Sequence, residues 1–344
     1  VWLLVMVWLA DGPTRAQSDE SDTSCLPPSE NALLTWARDP DAPVPVILDT
    51  DFAADVDDVG ALAILHGMAD QGEANILGVM LSSGGEYAAR AVDAVNTYYG
   101  RPDVPIGITW RAAAYPSSRY TFDLAFDFPN DILGVPDAVA LYRQILAQQP
   151  DHSVTIVSVG FLTNLGHLLE TEADANSDLN GFDLVRDKVA RLVVMGGHYP
   201  DSASHPDGVE YNFELDAEAA QAVVRDWPTP MIFSGFEIGV DIETGAVLQT
   251  ETPADNPVRR AYQRFNGGQD RSSWDLTAVY FAVRGTGDIW KLCNQGTNRV
   301  DADGRNHWDT SEASAQAYLS NQVPKETIRT LLNGLLIQPP QRME

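Results

Sequence analysis

Five aspartates lie within ten residues, between Asp49 and Asp58, at the junction of two apolar segments. The apolar run 44–48 before them predicts a buried parallel strand, and the run that begins at Val59 has the apolar spacing of a helix. In open α/β sheets, ligands bind where a strand ends and leads into a helix. Like charges so close together are unfavourable unless a cation or water relieves them, and Ca²⁺ binds several carboxylate oxygens at once. The sequence therefore predicts a metal site in this loop.

Helix capping and an EF-hand are two other interpretations of the acidic loop, and each explains fewer of its aspartates than a metal site does. The later three aspartates could be cap and first-turn acids that the helix dipole favours, but this leaves Asp49 and Asp51 unexplained. A calcium-binding EF-hand needs an acid at its third position and glycine at its sixth. Counting from Asp51, those positions hold Ala53 and Val56, so the EF-hand interpretation fails.

Beyond the loop, short apolar runs alternate with helical patterns, which predicts one mostly parallel, doubly wound open sheet with helices on both faces. We predict strands over 75–81, 104–108, 153–159, 189–195 and 230–234, and helices over 59–69, 87–99, 138–148, 162–170 and 217–226. The aromatic-rich segment 109–136 lacks clear periodicity and predicts a long irregular excursion, either a lid over a site or a packed surface loop. From Pro253 onward the pattern is mostly helical, with the best candidates at 274–283 and 323–336.

The composition limits the partners and the compartment. With 49 acidic and 22 basic residues the formal charge is -27, which disfavours binding to nucleic acids and to anionic membranes. Residues 1–10 are wholly apolar, too short to span a bilayer, and resemble a truncated secretion signal with cleavage after Ala16. This predicts a secreted or periplasmic protein, or a cytoplasmic one if the segment is not a signal.

The remaining chain divides into an acidic spacer at 17–43 and one expected domain at 44–344. Cys25 and Cys293 are its only cysteines. In an oxidising compartment they could form a disulfide that ties the spacer to the domain, and two buried thiols fit the sequence equally well.

Four sequence blocks resemble one known family in type and in order. The first is the Asp-Thr-Asp at 49–51 with the Asp57-Asp58 pair; the others lie at 159–164, 194–197 and 210–220. From Val44 to about Arg284 the chain resembles the inosine-uridine preferring nucleoside hydrolases, whose fold is a doubly wound open sheet. The resemblance implies Ca²⁺-dependent hydrolysis of the N-glycosidic bond of a small ribonucleoside, which releases ribose and the free base. It leaves homo-oligomer formation open.

The resemblance also implies roles for individual residues. Asp51, Asp58, Asp275 and the main-chain carbonyl of Val159 match the ligands of the Ca²⁺ ion, and Asp51 also matches the group that takes a proton from the attacking water. The groups that match those holding the ribose hydroxyls are Asp57, Glu210 and Asn212.

The chain departs from the family pattern at three places. Five residues separate Asp51 from Asp57, more than in better-known members, so Asp55 or Asp57 could hold ribose, and we favour Asp57 because it directly precedes Asp58. Trp274 stands where many members carry a His proposed to protonate the leaving base. The third departure comprises 83–86 and 202–204, where members often offer an Asn.

Without that His, the chain needs another acid or must favour a base that stacks on an aromatic surface. His198 and His205 are the candidate acids. The candidate stacking groups are Trp274, Tyr211 and the aromatic side chains of the segment 109–136. Two further functions stay open: a secreted binding protein that keeps the metal and ribose pocket without catalysis, and a phosphatase with Asp51 as nucleophile. The phosphatase hypothesis leaves the blocks around Val159 and Asn212 unexplained.

Overall fold

The computed structural model describes residues 25–26, 42–52, 55–85, 87–110, 118–132, 134–200 and 208–341. The strands are β1 (Cys25–Leu26), β2 (Val44–Thr50), β3 (Ala74–Leu81), β4 (Ile106–Ile108), β5 (Val154–Ser158), β6 (Val189–Met195), β7 (Met231–Ser234), β8 (Glu243–Thr244), β9 (Arg271–Ser272), β10 (Trp290–Cys293), β11 (Thr297–Val300), β12 (Asn306–Asp309) and β13 (Gln316–Asn321). The helices are α1 (Asp57–Asp70), α2 (Ala88–Tyr98), α3 (Arg119–Asp127), α4 (Ala138–Ala147), α5 (Thr163–Leu169), α6 (Gly181–Lys188), α7 (Tyr211–Leu215), α8 (Ala217–Asp226), α9 (Phe236–Gly239), α10 (Leu248–Glu251), α11 (Pro257–Asn266), α12 (Trp274–Arg284) and α13 (Lys325–Leu336).

Within the described ranges, nine strands form one open sheet in the order β1-β10-β13-β7-β6-β5-β2-β3-β4. The strands from β13 to β4 pair in parallel, and β10 and β1 add an antiparallel edge. Side chains of β2 alternate between two cores: Leu48 packs with α1 and α12 on one face, and Ile47 packs with α4 and α5 on the other. The predicted doubly wound α/β fold is thereby confirmed.

The parallel register brings the carboxyl ends of the central strands into one row. Asp49 on β2 pairs with Ser158 on β5, which in turn pairs with Val194 on β6. Met195, the last residue of β6, pairs with Ser234 of β7. Since loops that follow these strands leave the sheet at the same edge, side chains from distant parts of the chain can meet there.

Two parts of the chain differ from the sequence prediction. The segment 109–136 is not irregular throughout, because helix α3 occupies its centre, with Ser118 capping the N–H of Thr121. Aromatic side chains obscured its helical pattern: Tyr120 is buried, whereas Phe122 and Phe126 are exposed. In the C-terminal part the two predicted helices are present as α12 and α13, and strands β10 to β13 lie between them.

The two cysteines form a disulfide that joins residues 268 positions apart in sequence. Strand β1 pairs antiparallel with β10, with Cys25 opposite Cys293 at the edge of the large sheet. A short strand tied covalently to an edge covers the unpaired groups that would otherwise be exposed there. The predicted signal at 1–16 and nearly all of the spacer lie outside the described residues. Among those that are described, no helix is both long and apolar enough to cross a bilayer.

Candidate active site

A cavity of about 420 Å³ lies at the carboxyl edge of the sheet. It is bounded by the ends of β2, β5 and β6, by the first turns of α1 and α12, and by α7. The eight residues assigned above to the metal or the substrate all line this cavity: Asp51, Asp57, Asp58, Val159, Glu210, Asn212, Trp274 and Asp275. Asp55 and Tyr211, the alternatives for ribose and for stacking, line it as well, and so do Met195, Phe236 and Arg271.

The acidic loop is folded back on the end of β2 by hydrogen bonds to Asp58. Asp58 Oδ1 accepts the main-chain N–H of Phe52 at 3.1 Å and the hydroxyl of Thr50. The Ser83 hydroxyl, at the end of β3, donates to the Asp51 carbonyl oxygen at 2.5 Å. From α3, Tyr120 donates its hydroxyl to the Asp55 carbonyl oxygen at 2.6 Å. Neighbouring elements on both sides thus fix the backbone that carries the aspartates.

Three of the carboxylates are close enough to share one cation. One oxygen each of Asp57, Asp58 and Asp275 lies within 4.8 Å of the others, and all three side chains are buried. The Asp275 N–H donates to Asp57 Oδ2 at 3.2 Å, so the start of α12 is held against the start of α1. Buried oxygen ligands with negative charge are the set that hard cations prefer, and the residues present therefore fit a hard divalent cation.

The expected ligand set and the observed cluster overlap without being identical. Asp58 and Asp275 belong to both, and Asp51 lines the same cavity. Asp57, which the sequence assigned to ribose, lies among the clustered oxygens. Asp55, its alternative for that role, is partly exposed and forms an ion pair with Arg271.

Burial and mutual repulsion shift the acidity of the whole cluster. Burial raises the pKa of Asp51 to about 7, and repulsion from Asp57 adds to the increase. Burial likewise raises the pKa values of Asp57, Asp58 and Asp275 well above their usual range, and repulsion from neighbouring carboxylates again adds to it. Without a cation, the cluster therefore holds protons near neutral pH. A bound cation would favour the ionised forms.

The loop after β5 approaches the acidic loop at a glycine. The Val159 N–H donates to the Asp49 carbonyl oxygen at 2.7 Å. A Cβ atom on Gly160 would lie 2.4 Å from the main-chain nitrogen of Asp51, which real Cβ atoms do not tolerate. Glycine at this position therefore allows the Val159 carbonyl to lie beside the aspartates.

Glu210 and Asn212 are held by main-chain groups at the ends of the strands. Glu210 caps helix α7, where its carboxylate accepts the N–H groups of Asn212 at 3.0 Å and of Gly197 at 3.1 Å. Burial raises the pKa of Glu210 to about 7. Asn212 Nδ2 donates to the carbonyl oxygens of Val159 at 3.2 Å and Met195 at 3.1 Å. A carboxylate oxygen and a side-chain amide oxygen each accept more than one hydrogen bond. The carboxylate of Glu210 and the amide oxygen of Asn212 can therefore still accept hydrogen bonds from a ligand.

An aromatic wall closes the other side of the cavity. Trp274 Nε1 donates to the Phe236 carbonyl oxygen at 2.9 Å, and the two rings lie 5.3 Å apart. The Arg271 guanidinium lies over the Trp274 ring, 5.0 Å from its centre. The ring of His198 packs 5.1 Å from Phe236, and His198 is buried and not among the described residues lining the cavity. His205, like 202–204 and 86, lies outside the described residues.

Comparison with known proteins identifies the family. The family model described as inosine-uridine preferring nucleoside hydrolase matches residues 46–304, well over half of the chain. The chain belongs to the inosine-uridine preferring nucleoside hydrolase family. Its class is therefore that of hydrolases that act on N-glycosyl bonds. No curated relative matches the chain by sequence.

Solved nucleoside hydrolases share the fold at low sequence identity. The inosine-uridine preferring enzyme of Bacillus anthracis is 16% identical, with a TM-score of 0.63, over 86% of this chain and 99% of that one. The purine-preferring ribonucleoside hydrolase of Gardnerella vaginalis is 18% identical, with a TM-score of 0.64, over 85% and 99%. A plant nucleoside hydrolase is 18% identical, with a TM-score of 0.62, over 86% and 100%. The resemblance inferred from the four sequence blocks is confirmed.

Within this nucleoside hydrolase, sequence reasoning missed the contribution of Arg271 and Phe236 to the cavity wall, and it missed the ion pair between Arg271 and Asp55. Arg271 reaches the cavity because β9 pairs with β8 through Thr244, immediately before α12 begins. Its ion pair with Asp55 joins residues 216 positions apart. No local pattern indicates such a pairing, although Arg271 lies only three positions before Trp274, which the sequence had already singled out.

Proposed function

We propose that this nucleoside hydrolase uses Ca²⁺ to hydrolyse the N-glycosidic bond of ribonucleosides, releasing ribose and the free base. One observation carries the proposal. Asp51 and Asp58, near the start of the domain, line one cavity with Asp275, near its end, and with Glu210 and Asn212. A nucleoside hydrolase needs a cation site and a sugar site in contact, and these residues offer oxygen and amide groups for both.

The donor set favours Ca²⁺ over softer metals. The proposed ligands are carboxylates of Asp51, Asp58 and Asp275 and the carbonyl of Val159, all of them oxygen atoms. The cavity has no cysteine or histidine among its described lining residues, and nitrogen or sulfur ligands are what zinc prefers. When bound, the ion supplies positive charge that lowers the pKa of a water molecule in the cavity.

Asp51 is the proposed base that takes the proton from the attacking water. Its burial raises its pKa to about 7 in the metal-free site, and the cation would keep it ionised at neutral pH. As the water attacks, the sugar passes through an oxocarbenium-like state with positive charge on the ring. The carboxylates of Asp57 and Glu210, which line the cavity, stabilise that charge, and Asn212 positions a ribose hydroxyl.

The aromatic wall is the proposed contact surface for the base. Trp274 and Phe236 present adjacent rings to the cavity. A nucleobase stacks on such surfaces through dispersion and offset ring contacts. In this proposal the ribose lies toward the acidic loop and the base toward the aromatic wall.

A reducing-sugar assay tests the proposal. Purified protein in millimolar CaCl₂ is mixed separately with inosine, guanosine, adenosine, uridine and cytidine, and released ribose is measured. We expect release from at least one of them, with a loss of at least about a thousandfold in kcat for Asp51→Ala. The matched control is Asp241→Ala, whose side chain is 74% exposed. If no nucleoside yields ribose while Ca²⁺ still binds, the catalytic proposal fails in favour of a non-catalytic binding protein.

We also propose that the protein acts in a secreted or periplasmic setting. The Cys25–Cys293 disulfide supports this, because such bonds persist in oxidising compartments and are rare in the cytosol. To test the compartment, protein is taken from the cell exterior, the periplasm and the cytosol and treated with an alkylating reagent, with and without prior reduction. The intact mass then shows in which fraction the two cysteines are oxidised. Alkylation of both cysteines before reduction in the native host would contradict the proposal.

A further inference from the structure

A cationic side chain lies beside the carboxylates that line the cavity. Among the described lining residues, Arg271 is the one with a cationic side chain, against six carboxylates. Strand β9 holds it between the acidic loop and the aromatic wall, where the base of a nucleoside would lie. A cationic side chain beside a reaction centre can stabilise negative charge that develops there.

Three contacts fix the Arg271 guanidinium. Its Nε lies 3.0 Å from both carboxylate oxygens of Asp55, and its Nη2 also donates to Asp55. Its flat face lies over the rings of Trp274, at 5.0 Å, and Phe265, at 5.8 Å. Among the described residues the hydrogen bonds of Arg271 come from Nε and Nη2, which leaves the two N–H donors of Nη1 available to a ligand. The hydrogen bond to Asp55 raises the pKa of Arg271, so its charge is permanent.

We propose that Arg271 contacts the departing base and stabilises the negative charge that develops on it. The proposal rests on the proposed hydrolysis. The C1′–N bond breaks with its electron pair staying on the base, while the water oxygen bonds to C1′ and the water proton passes to Asp51. The base leaves as an anion held against Arg271 and then takes a proton from solvent, as Asp51 returns its own proton to solvent.

The groups around Arg271 explain why the departing base needs a hydrogen-bond donor from this side chain. The Trp274 N–H is already donated to the Phe236 carbonyl oxygen, so the indole has no donor left for the base. A guanidinium donates hydrogen bonds without giving up a proton, and it binds ring nitrogen and carbonyl oxygen acceptors of bases. Donors aimed at developing negative charge in a buried site each contribute about 10²–10³ to kcat.

Two substrates with the same sugar and different leaving groups test this role. Inosine has a poor leaving group that needs stabilisation, whereas 4-nitrophenyl β-D-ribofuranoside releases a phenolate that is stable by itself. We expect Arg271→Met to lower kcat about 10²–10³-fold on inosine and less than about threefold on the nitrophenyl riboside. Arg271→Lys, which keeps the charge and loses the planar fork, should recover part of the activity on inosine.

The matched control is Arg264→Met. Arg264 is also ion-paired to an aspartate, Asp123, and its side chain is 37% exposed, against 36% for Arg271. It is not among the residues that line the cavity, so its variant should keep both activities. Activity on the nitrophenyl riboside also reports whether each variant is folded and holds its metal.

The results separate the two proposals. A selective loss on inosine in the Arg271→Met variant supports the role of Arg271. A parallel loss on both substrates, or no loss on inosine, overturns it, because a structural residue would not distinguish leaving groups. If the wild-type protein cleaves neither riboside in the presence of Ca²⁺, the proposed hydrolysis itself fails and this inference fails with it.

Discussion

Replacing Asp275 by Asn should stabilise the metal-free protein and abolish its stabilisation by Ca²⁺. The Asp275 carboxylate accepts no hydrogen bond from the described residues, and its main-chain N–H, which donates to Asp57, is unaffected by the change. The substitution therefore removes a buried charge at nearly constant volume. What remains is the electrostatic effect alone.

The size of the effect follows from the spacing of the carboxylates. One carboxylate oxygen each of Asp275, Asp57 and Asp58 lies within 4.8 Å of the others, and two unit charges at that upper limit repel by about 3.5 kcal/mol at an effective dielectric constant near 20. Because raised pKa values let the cluster share protons, only part of this repulsion is present near neutral pH. We expect a gain of about 1–3 kcal/mol in the free energy of unfolding, or about 2–6 °C in Tm.

The pH dependence has a defined sign. The folded-state pKa values of Asp51, Asp57, Asp58 and Asp275 are raised, so each ionised carboxyl disfavours the folded state. Metal-free wild-type protein should therefore lose stability as pH rises from about 4, the ordinary value, through about 7. The Asn variant should have a flatter profile. Since Ca²⁺ competes with protons, its stabilising effect should be larger at higher pH.

Thermal unfolding followed by circular dichroism measures both effects. Wild-type protein, Asp275→Asn and the exposed control Asp241→Asn are compared across pH, in excess EGTA and in millimolar CaCl₂. The reasoning is refuted if Asp275→Asn is less stable than wild type in EGTA and still gains Tm from Ca²⁺. A Ca²⁺ effect that shrinks as pH rises would also contradict it.

Two further variants test a glycine that supports the site and the disulfide at the edge of the sheet. Gly160→Ala should weaken Ca²⁺ binding and lower stability by about 1–3 kcal/mol, because its Cβ would meet the Asp51 backbone at 2.4 Å. Calcium titration would show this, with Gly334→Ala, which meets nothing within 4 Å, as the control; unchanged affinity would contradict the prediction. The double change of Cys25 and Cys293 to Ser should cost about 2–5 kcal/mol of stability. Tm should become insensitive to reductant in that variant, and a wild-type Tm equally insensitive would refute the prediction.

The acidic loop and the elements on either side of it could be predicted from the sequence because their residues are consecutive. The run from Val44 through Thr50 into α1 showed a strand, an acidic loop and a helix start in order. By contrast, Asp275 looks like a helix cap when taken alone. It became a candidate ligand only through the family resemblance, and the structure brings it to Asp57 and Asp58.

What could not be predicted depends on contacts between distant residues. Strands β10 and β13 are short and pair with each other and with β7 and β1, so neither shows a strong pattern by itself. Arg271 and Asp55 belong to a two-residue strand and a loop, and their ion pair exists only after the sheet has formed. Helix α3 was hidden because its exposed face carries Phe122 and Phe126, which blur the apolar period.

Two neighbouring residues at the start of helix α12 belong to different parts of the site. Trp274 turns to the Phe236 carbonyl and Arg271, whereas Asp275 turns to Asp57 and the acidic cluster. A change at the aromatic wall can therefore alter the fate of the base and leave the cation site intact. We expect Asp275→Asn to reduce activity on inosine and on the nitrophenyl riboside alike, while Arg271→Met reduces only the first. Identical substrate profiles for the two variants would mean that the wall and the cluster act as one unit.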